Sequence, residues 1–262
     1  MLYFVYDLPS WLFCALTMLV CMLIGAGGML LTAPIVRRVL AKGDHNDIVS
    51  YFLSACGVFY GITLGLIAVG AWQSFSEVDT KVSAEAAALA ALHRDVSSYP
   101  EPIGSQLRDQ LKGYTEYVIH EAWPQQRRGE VPVGGTTRIN DFQRLLYGFE
   151  PATRSQEILH AEAISQFNEF VSARRLRLQA VSTSLPAALW WVVGLGAILS
   201  ISITWFFHVP NRTLHLLMVL LASSLIGLLI FLTAAMDNPF RGEVSIGPDA
   251  FVVVYDQLMK SH

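Results

Sequence analysis

Charged residues are scarce in this sequence. Only 15% of its 262 residues are Asp, Glu, Lys or Arg, whereas 53% are hydrophobic and the mean hydropathy is +0.44. An average soluble domain has about 25% charged residues, so this composition excludes an ordinary water-soluble globule. The net charge of −3 is uninformative, but the lack of a basic run with interleaved aromatic residues argues against a nucleic-acid-binding protein.

Catalytic and metal-binding motifs are missing as well. The sequence has no HExxH motif, no GxxxxGK phosphate loop and no GxSxG nucleophile elbow, so the common hydrolase and nucleotide-binding patterns are absent. Three cysteines occur, Cys14, Cys21 and Cys56, and all lie in apolar stretches. This placement favours small packing residues over a disulfide or a metal site. We therefore expect no enzyme activity, no cofactor and no metal.

Four long apolar stretches are present instead. They cover residues 12–36, 48–74, 185–208 and 213–236, and none of them contains Asp, Glu, Lys or Arg. Each is long enough to cross a hydrocarbon core of about 30 Å, which takes about 20 apolar residues. The sequence thus predicts a multi-pass membrane protein with four transmembrane helices in two hairpins. Proton-coupled carriers are disfavoured, because they place ionisable groups within their spans.

A polar block separates the two hairpins. We divide the chain into a first hairpin (1–76), a helical extramembrane domain (77–177), a second hairpin (178–236) and a C-terminal tail (237–262). Prolines delimit the helices of the polar block, at positions 100, 102, 124 and 151. The last of these helices is expected to start at Thr153 or Ser155 and to continue into the third span with a kink at Pro186. The predicted fold is all-α, with extramembrane helices that extend spans two and three.

Two helices of the polar block carry one charged residue within an otherwise apolar stripe. The first stripe consists of Val78, Val82, Glu85, Leu89, Leu92 and Val96. The second consists of Ile164, Phe167, Val171, Arg174, Leu178, Val181 and Leu185. Both charges lie about eleven residues from the membrane end of their helix, which places each about 16 Å from the same membrane face. We predict an ion pair between Glu85 and Arg174 that fixes the helix register; solvated stripe edges are the alternative.

The second apolar stretch carries two notable helix faces. One face has glycine at every fourth residue, at Gly57, Gly61 and Gly65. Glycine at this spacing lets helix backbones approach closely, which predicts tight packing between spans. The adjacent face carries Ser54, Val58 and Ile62. The alternative interpretation is that this span lines a narrow pore, with that adjacent face as an apolar constriction that gates by dewetting.

Four runs of residues resemble the bacterial bestrophin-like family. They are VSAEAAALAALHRD (Val82–Asp95), EAWP (Glu121–Pro124), SARRLRL (Ser172–Leu178) and DNPFRG (Asp237–Gly242). Bestrophins are pentameric anion channels with four spans per subunit, a helical cytosolic domain between spans two and three, and a pore lined by span two. The resemblance implies a homo-oligomer, a pentamer in the bacterial cytoplasmic membrane, that passively conducts small inorganic anions such as chloride.

Two alternatives stay open at this stage. A non-conducting membrane scaffold or accessory subunit, which binds a partner through the helical domain, also fits the apolar stripes and the glycine face.

The orientation in the bilayer is a second open point. Positive charges on the short connections, at Arg37, Arg38, Lys42 and Arg212, favour a cytoplasmic position for these connections. The bestrophin resemblance instead places the helical domain in the cytoplasm.

Overall fold

The computed structural model describes residues 3–39 and 45–260, and regular secondary structure in these ranges is helical, with no strand. The all-α prediction is thereby confirmed. The helices are α1 (Ser10–Val39), α2 (Asn46–Val96), α3 (Ile103–Tyr117), α4 (Trp123–Arg127), α5 (Gly135–Tyr147), α6 (Arg154–Ala180), α7 (Ala187–Ile203), α8 (Arg212–Asp237) and α9 (Asp249–Val254). Short 3₁₀ helices cover Tyr3–Asp7 and Thr204–Phe206, and π-helical turns cover Val118–Ala122 and Tyr255–Met259.

Four membrane-spanning candidates occur within the described ranges. They are Ser10–Val36, Asn46–Val96, Ala187–Phe206 and Arg212–Asp237, each long and apolar enough to cross a bilayer. The four predicted spans are therefore confirmed. The connection between the first two spans, including Lys42, lies outside the described residues.

The third span begins with a helix break. α6 ends at Ala180 and α7 starts at Ala187, so the predicted continuous helix with a kink at Pro186 is wrong. Proline disfavours the helical conformation of the residue before it. The backbone N–H of that residue, Leu185, donates to the Asp237 carboxylate instead of to a helical carbonyl. α2, in contrast, continues without a break for 51 residues.

The prolines of the polar block act in different ways. Pro124 does not end a helix, because it is the second residue of α4 and follows the π-helical turn. Proline is tolerated there since the first turn of a helix has no partner for its backbone donors. Thr153 is the N-cap of α6, and its hydroxyl accepts a hydrogen bond from the backbone N–H of Gln156 at 3.2 Å.

The chain divides into two compact units. Unit 1 comprises residues 1–74, 184–238 and 242–244, and unit 2 comprises residues 75–183, 239–241 and 245–262. Unit 1 therefore contains α1, the first half of α2, α7 and α8. Unit 2 contains the second half of α2, α3 to α6 and α9.

Glycines allow close helix contacts inside unit 1. A Cβ atom on Gly227 of α8 would lie 2.7 Å from the Cα of Met18 in α1, so these two backbones touch. Gly25 of α1 likewise faces Ser223 of α8. α1 and α8 thus approach closely at both glycines, through backbone atoms at Gly227 and through a small side chain at Gly25.

The core of unit 2 contains the predicted α2 stripe but a shifted α6 stripe. Every residue of the α2 stripe is buried, from Val78 to Val96. On α6 the buried residues are Ala163, Phe167, Phe170, Arg177 and Ala180. The stripe was predicted to include Ile164, Val171 and Leu178. The buried face of α6 instead includes the residue before each of these, namely Ala163, Phe170 and Arg177. The predicted stripe contained Arg174, whereas the buried arginine of α6 is Arg177.

Candidate pore helix and buried ion pair

The first half of α2 belongs to unit 1 and packs one face against the rest of that unit. Tyr60, Leu64, Ile67 and Ala71 lie three or four residues apart, which places them on one side of a helix. Leu64, Ile67 and Ala71 are buried. The Tyr60 hydroxyl donates a hydrogen bond of 2.9 Å to the carbonyl of Val193 in α7. On the opposite side of α2, large apolar side chains such as Phe59 and Leu66 are exposed among the described residues.

The predicted pore-lining residues lie on this opposite side. Val58 is 60% exposed and Ile62 is 59% exposed. Ser54 is also exposed, and its hydroxyl donates to the backbone carbonyl of Ser50 at 2.8 Å, as is common for serine in an apolar helix. The three residues share an uncharged surface that the described part of the chain does not cover.

The glycine face of α2 makes no close contact within the described chain. A Cβ atom at Gly57, Gly61 or Gly65 would have no neighbouring atom of the described residues within 4 Å. Tight packing between spans was predicted for these glycines, and no such contact occurs among the described residues of one subunit, so packing at this face stays a prediction. Close contacts occur at other glycines, for example at Gly196, where the ring of Tyr60 packs against the helix.

The predicted ion pair has a different basic partner. Arg177, rather than Arg174, binds Glu85: Nε lies 2.5 Å from Oε2, and Nη2 donates to Oε1 at 3.2 Å. The side chain of Arg174 instead reaches the Thr136 hydroxyl at 3.4 Å. Arg177 lies three residues after Arg174, almost one helical turn further along α6, on the face that packs into the core. The pairing of Glu85 with Arg174 is therefore wrong.

Burial strengthens the electrostatic interaction between Glu85 and Arg177. The side chains of Arg177 and Glu85 are 1% and 0% exposed. Burial by itself opposes the charge on Arg177, but the nearby Glu85 carboxylate outweighs it, so the pKa of Arg177 is raised. Tyr114 donates its hydroxyl to Glu85 Oε1 at 2.6 Å, and burial together with the carboxylate raises the pKa of Tyr114. Glu85 thus accepts three hydrogen bonds.

Aromatic rings surround the guanidinium. The Cζ atom of Arg177 lies 5.5 Å from the ring centroids of both Trp123 and Phe251, a distance that permits cation–π attraction. Phe170 packs edge-on against Tyr114 at 5.3 Å between centroids. Nη1 of Arg177 is buried and has no hydrogen-bond partner among the described residues.

The four runs that resemble the bestrophin-like family come together in unit 2. Glu85 belongs to the first run, Trp123 to the second, Arg177 to the third and Phe240 to the fourth. Glu85 pairs with Arg177, Arg177 lies against Trp123, and the Trp123 and Phe240 rings are 5.8 Å apart. The runs are recognisable in the sequence, but their convergence is not, since no local pattern links segments so far apart in the chain.

Sequence reasoning also missed the role of Asp237. It is the last residue of α8, and its carboxylate accepts hydrogen bonds from the Leu185 backbone and from Trp190 Nε1, the latter at 3.2 Å. Asp237 therefore fixes the start of α7 to the end of α8. The neighbouring Asn238 donates to the hydroxyl of Tyr6 at 2.8 Å.

Solved structures share this fold. Two single-substitution variants of a bacterial bestrophin homologue from Klebsiella pneumoniae are 12% and 11% identical to the chain, with TM-scores of 0.67 and 0.66. The matches cover 94% and 93% of this chain and 99% and 98% of those chains. A further structure, described as a membrane protein, is 11% identical with a TM-score of 0.65, covering 93% of this chain and 97% of that chain.

A comparison with curated proteins gives no match. The family model described as a Bestrophin-like domain matches residues 19–251. This match covers most of the 262 residues and confirms the resemblance seen in the four runs. The chain therefore belongs to the bestrophin-like family.

Proposed function

We propose that the protein is a homo-oligomeric channel for small monovalent anions, with a central pore lined by α2. Family membership supports the anion channel class. A pentamer in a bacterial cytoplasmic membrane is the finer form of this proposal. In it, the α2 helices of neighbouring subunits surround one axial path.

The uncovered, uncharged face of α2 is the observation that carries the proposal. Val58 and Ile62 point away from Leu64 and Ile67, which pack inside unit 1. No ionisable side chain occurs between residues 48 and 74 except the tyrosine and cysteine groups. A ring of such branched apolar side chains forms a constriction that conducts only when it is hydrated. The glycine face beside it offers space for the helix of a neighbouring subunit.

Chloride flux tests the proposal directly. The full-length protein is purified, its oligomeric mass is measured in detergent, and chloride uptake is measured after reconstitution into liposomes. Val58→Ala and Ile62→Ala are expected to raise the flux, because smaller side chains widen and hydrate the constriction. Leu221→Ala is the matched control, since Leu221 is an exposed apolar residue on α8. This control is expected to conduct like the wild type.

The outcomes separate the channel from its alternatives. If the wild type conducts but Val58→Ala and Ile62→Ala leave the flux unchanged, the pore is not lined by this face of α2. A folded oligomer that passes neither anions nor cations would contradict conduction altogether. In that case the scaffold function becomes the better explanation, and a stoichiometric partner of unit 2 should copurify with the protein.

A further inference from the structure

Unit 1 contains a cavity of about 410 Å³ where α1 ends and α8 begins. One part of its lining is apolar and includes Met29, Ala33 and Phe207. Another part is basic and consists of Arg38, His208, Arg212 and His215. None of the described residues that line the cavity is acidic. The lining is therefore amphipathic, with positive charge on its polar side.

The basic side of the cavity is held in place by hydrogen bonds. Asn46 binds the backbone of His208 twice, because its amide accepts from the His208 N–H and donates to the His208 carbonyl, both at 2.9 Å. Nε2 of His215 lies 3.0 Å from the carbonyl oxygen of Thr204. These hydrogen bonds fix the two histidines of the polar side, whereas Arg38 and Arg212 are exposed side chains.

The start of α8 adds to the positive potential. Arg212 is the first residue of this 26-residue helix, and the Asn211 side chain accepts hydrogen bonds from the N–H groups of Thr213 and Leu214 at 3.0 and 3.2 Å. Helix N-termini carry a partial positive charge that favours anions. Neither Arg38 nor Arg212 forms an ion pair with a carboxylate of the described chain, so both charges are uncompensated within it.

Trp205 supplies an independent observation. It lines the cavity, and its indole Nε1 is buried without a hydrogen-bond partner among the described residues. The indole ring lies directly on Gly28, where a Cβ atom would collide with it. Glycine at this position therefore lets the ring sit against α1. The same lining thus holds a buried donor and two guanidinium groups that have no carboxylate partner among the described residues, a set of groups suited to an anionic acceptor from outside the chain.

We propose that this cavity binds the phosphate group of an anionic phospholipid. Arg38 and Arg212 contact the phosphate, the indole N–H of Trp205 donates to the headgroup, and the apolar wall accommodates the start of an acyl chain. The cavity lies at the ends of two membrane spans, where lipid headgroups are found. An inorganic phosphate ion would use only the polar half of this lining.

Lipid binding to the purified full-length protein tests the proposal. Native mass spectrometry in detergent measures retention of phosphatidylglycerol and of phosphatidylcholine with the same acyl chains. Arg38→Gln combined with Arg212→Gln removes two charges from the cavity. Because each such charge near an anionic lipid is worth about 1 kcal/mol, or about fivefold in affinity, we expect phosphatidylglycerol binding to weaken by about thirtyfold. Arg144→Gln with Arg154→Gln removes the same charge from exposed sites in unit 2 and serves as the control.

Two further measurements keep the test decisive. Trp205→Phe preserves the ring but removes the N–H, so it should weaken phosphatidylglycerol binding without changing the oligomeric mass. Inorganic phosphate is added as a competitor and should fail to displace the lipid at equal concentration. Equal retention of the two lipids by the wild type would overturn the proposal. So would unchanged phosphatidylglycerol binding in both the arginine and the tryptophan variants, or inorganic phosphate that binds as tightly as the lipid.

Discussion

The Nε atom of Arg177 lies 2.5 Å from Oε2 of Glu85, and neither side chain is accessible to solvent. The two residues are 92 positions apart in the chain, in α6 and α2. A buried ion pair of this kind adds little net stability when intact, because both charges lose their hydration. Removal of one member destabilises the fold, since the charge of the other then remains buried without a counter-charge.

Substitution of either member should therefore destabilise the protein strongly. Glu85→Gln leaves the guanidinium of Arg177 unpaired, and we expect a loss of about 3–5 kcal/mol in the free energy of unfolding. The measurement is unfolding of the full-length protein in mixed detergent micelles, followed by circular dichroism. Arg174→Gln is the control and should change stability by less than about 0.5 kcal/mol.

A double-mutant cycle completes the test of this pair. Glu85→Gln combined with Arg177→Met should cost clearly less than the sum of the two single changes, because neither charge is then left alone. Additive effects would show that Glu85 and Arg177 do not interact energetically. A cycle between Glu85 and Arg174 is expected to be additive.

The α2 stripe could be predicted from sequence because apolar residues recur at helical spacing on both sides of Glu85. Arg177 could not, because the apolar spacing on α6 favoured a stripe that contains Arg174, and the rotation of α6 about its axis is fixed only by packing in the fold. Its partner Glu85 lies in a distant segment, so only tertiary structure brings the two together. Asp237 and Leu185 present the same difficulty, since their hydrogen bond joins two segments that share no local pattern.

The glycine contacts show a different limit of prediction from sequence. Spacing alone indicated Gly57, Gly61 and Gly65 as packing residues, yet the backbone contact inside unit 1 lies at Gly227. A small side chain permits close approach but does not specify which helix approaches. Gly227 also has a small residue four positions before it, Ser223, and this was the signal that could have identified it.

Acidification should destabilise unit 2 through His160. The hydroxyl of Tyr99 lies 2.7 Å from Nδ1 of His160, and burial lowers the pKa of this histidine below its usual value of 6.5. Between the lowered pKa and 6.5 the unfolded chain binds more protons than the folded one, so stability falls as the pH drops through this window. Tyr99 stays protonated throughout, because burial raises its pKa to about 12.

The measurement is the melting temperature of the full-length protein in detergent as the pH is lowered from about 7.5 to about 5.5. His160→Gln removes the titrating group and should therefore show a smaller decrease than the wild type. His120→Gln, at an exposed position, should retain the full decrease. Equal decreases in the wild type and in His160→Gln would show that this histidine does not contribute.

An added methyl group at Gly227 should weaken the contact between α1 and α8. The Cβ atom would lie 2.7 Å from Met18 Cα and 3.0 Å from the carbonyl oxygen of Thr17, and these backbone atoms cannot move without shifting α1. Gly227→Ala should therefore cost about 1–3 kcal/mol in the free energy of unfolding, as overpacking does elsewhere. Gly194→Ala is the control, because a Cβ atom there meets no described atom within 4 Å. Equal stability of the two variants would contradict the contact.

A large side chain at Gly61 should disrupt the oligomer while leaving the subunit folded. Nothing in the described chain lies within 4 Å of a Cβ atom at this position, so Gly61→Leu has space within its own subunit. If the glycine face of α2 receives the helix of a neighbouring subunit, the leucine side chain occupies the space which that helix needs. We expect a lower oligomeric mass with unchanged helix content, measured by light scattering in detergent and by circular dichroism. Gly27→Leu introduces the same side chain at an equally open glycine of α1 and should keep the wild-type mass, whereas an unchanged mass in Gly61→Leu would place the subunit contact on another face.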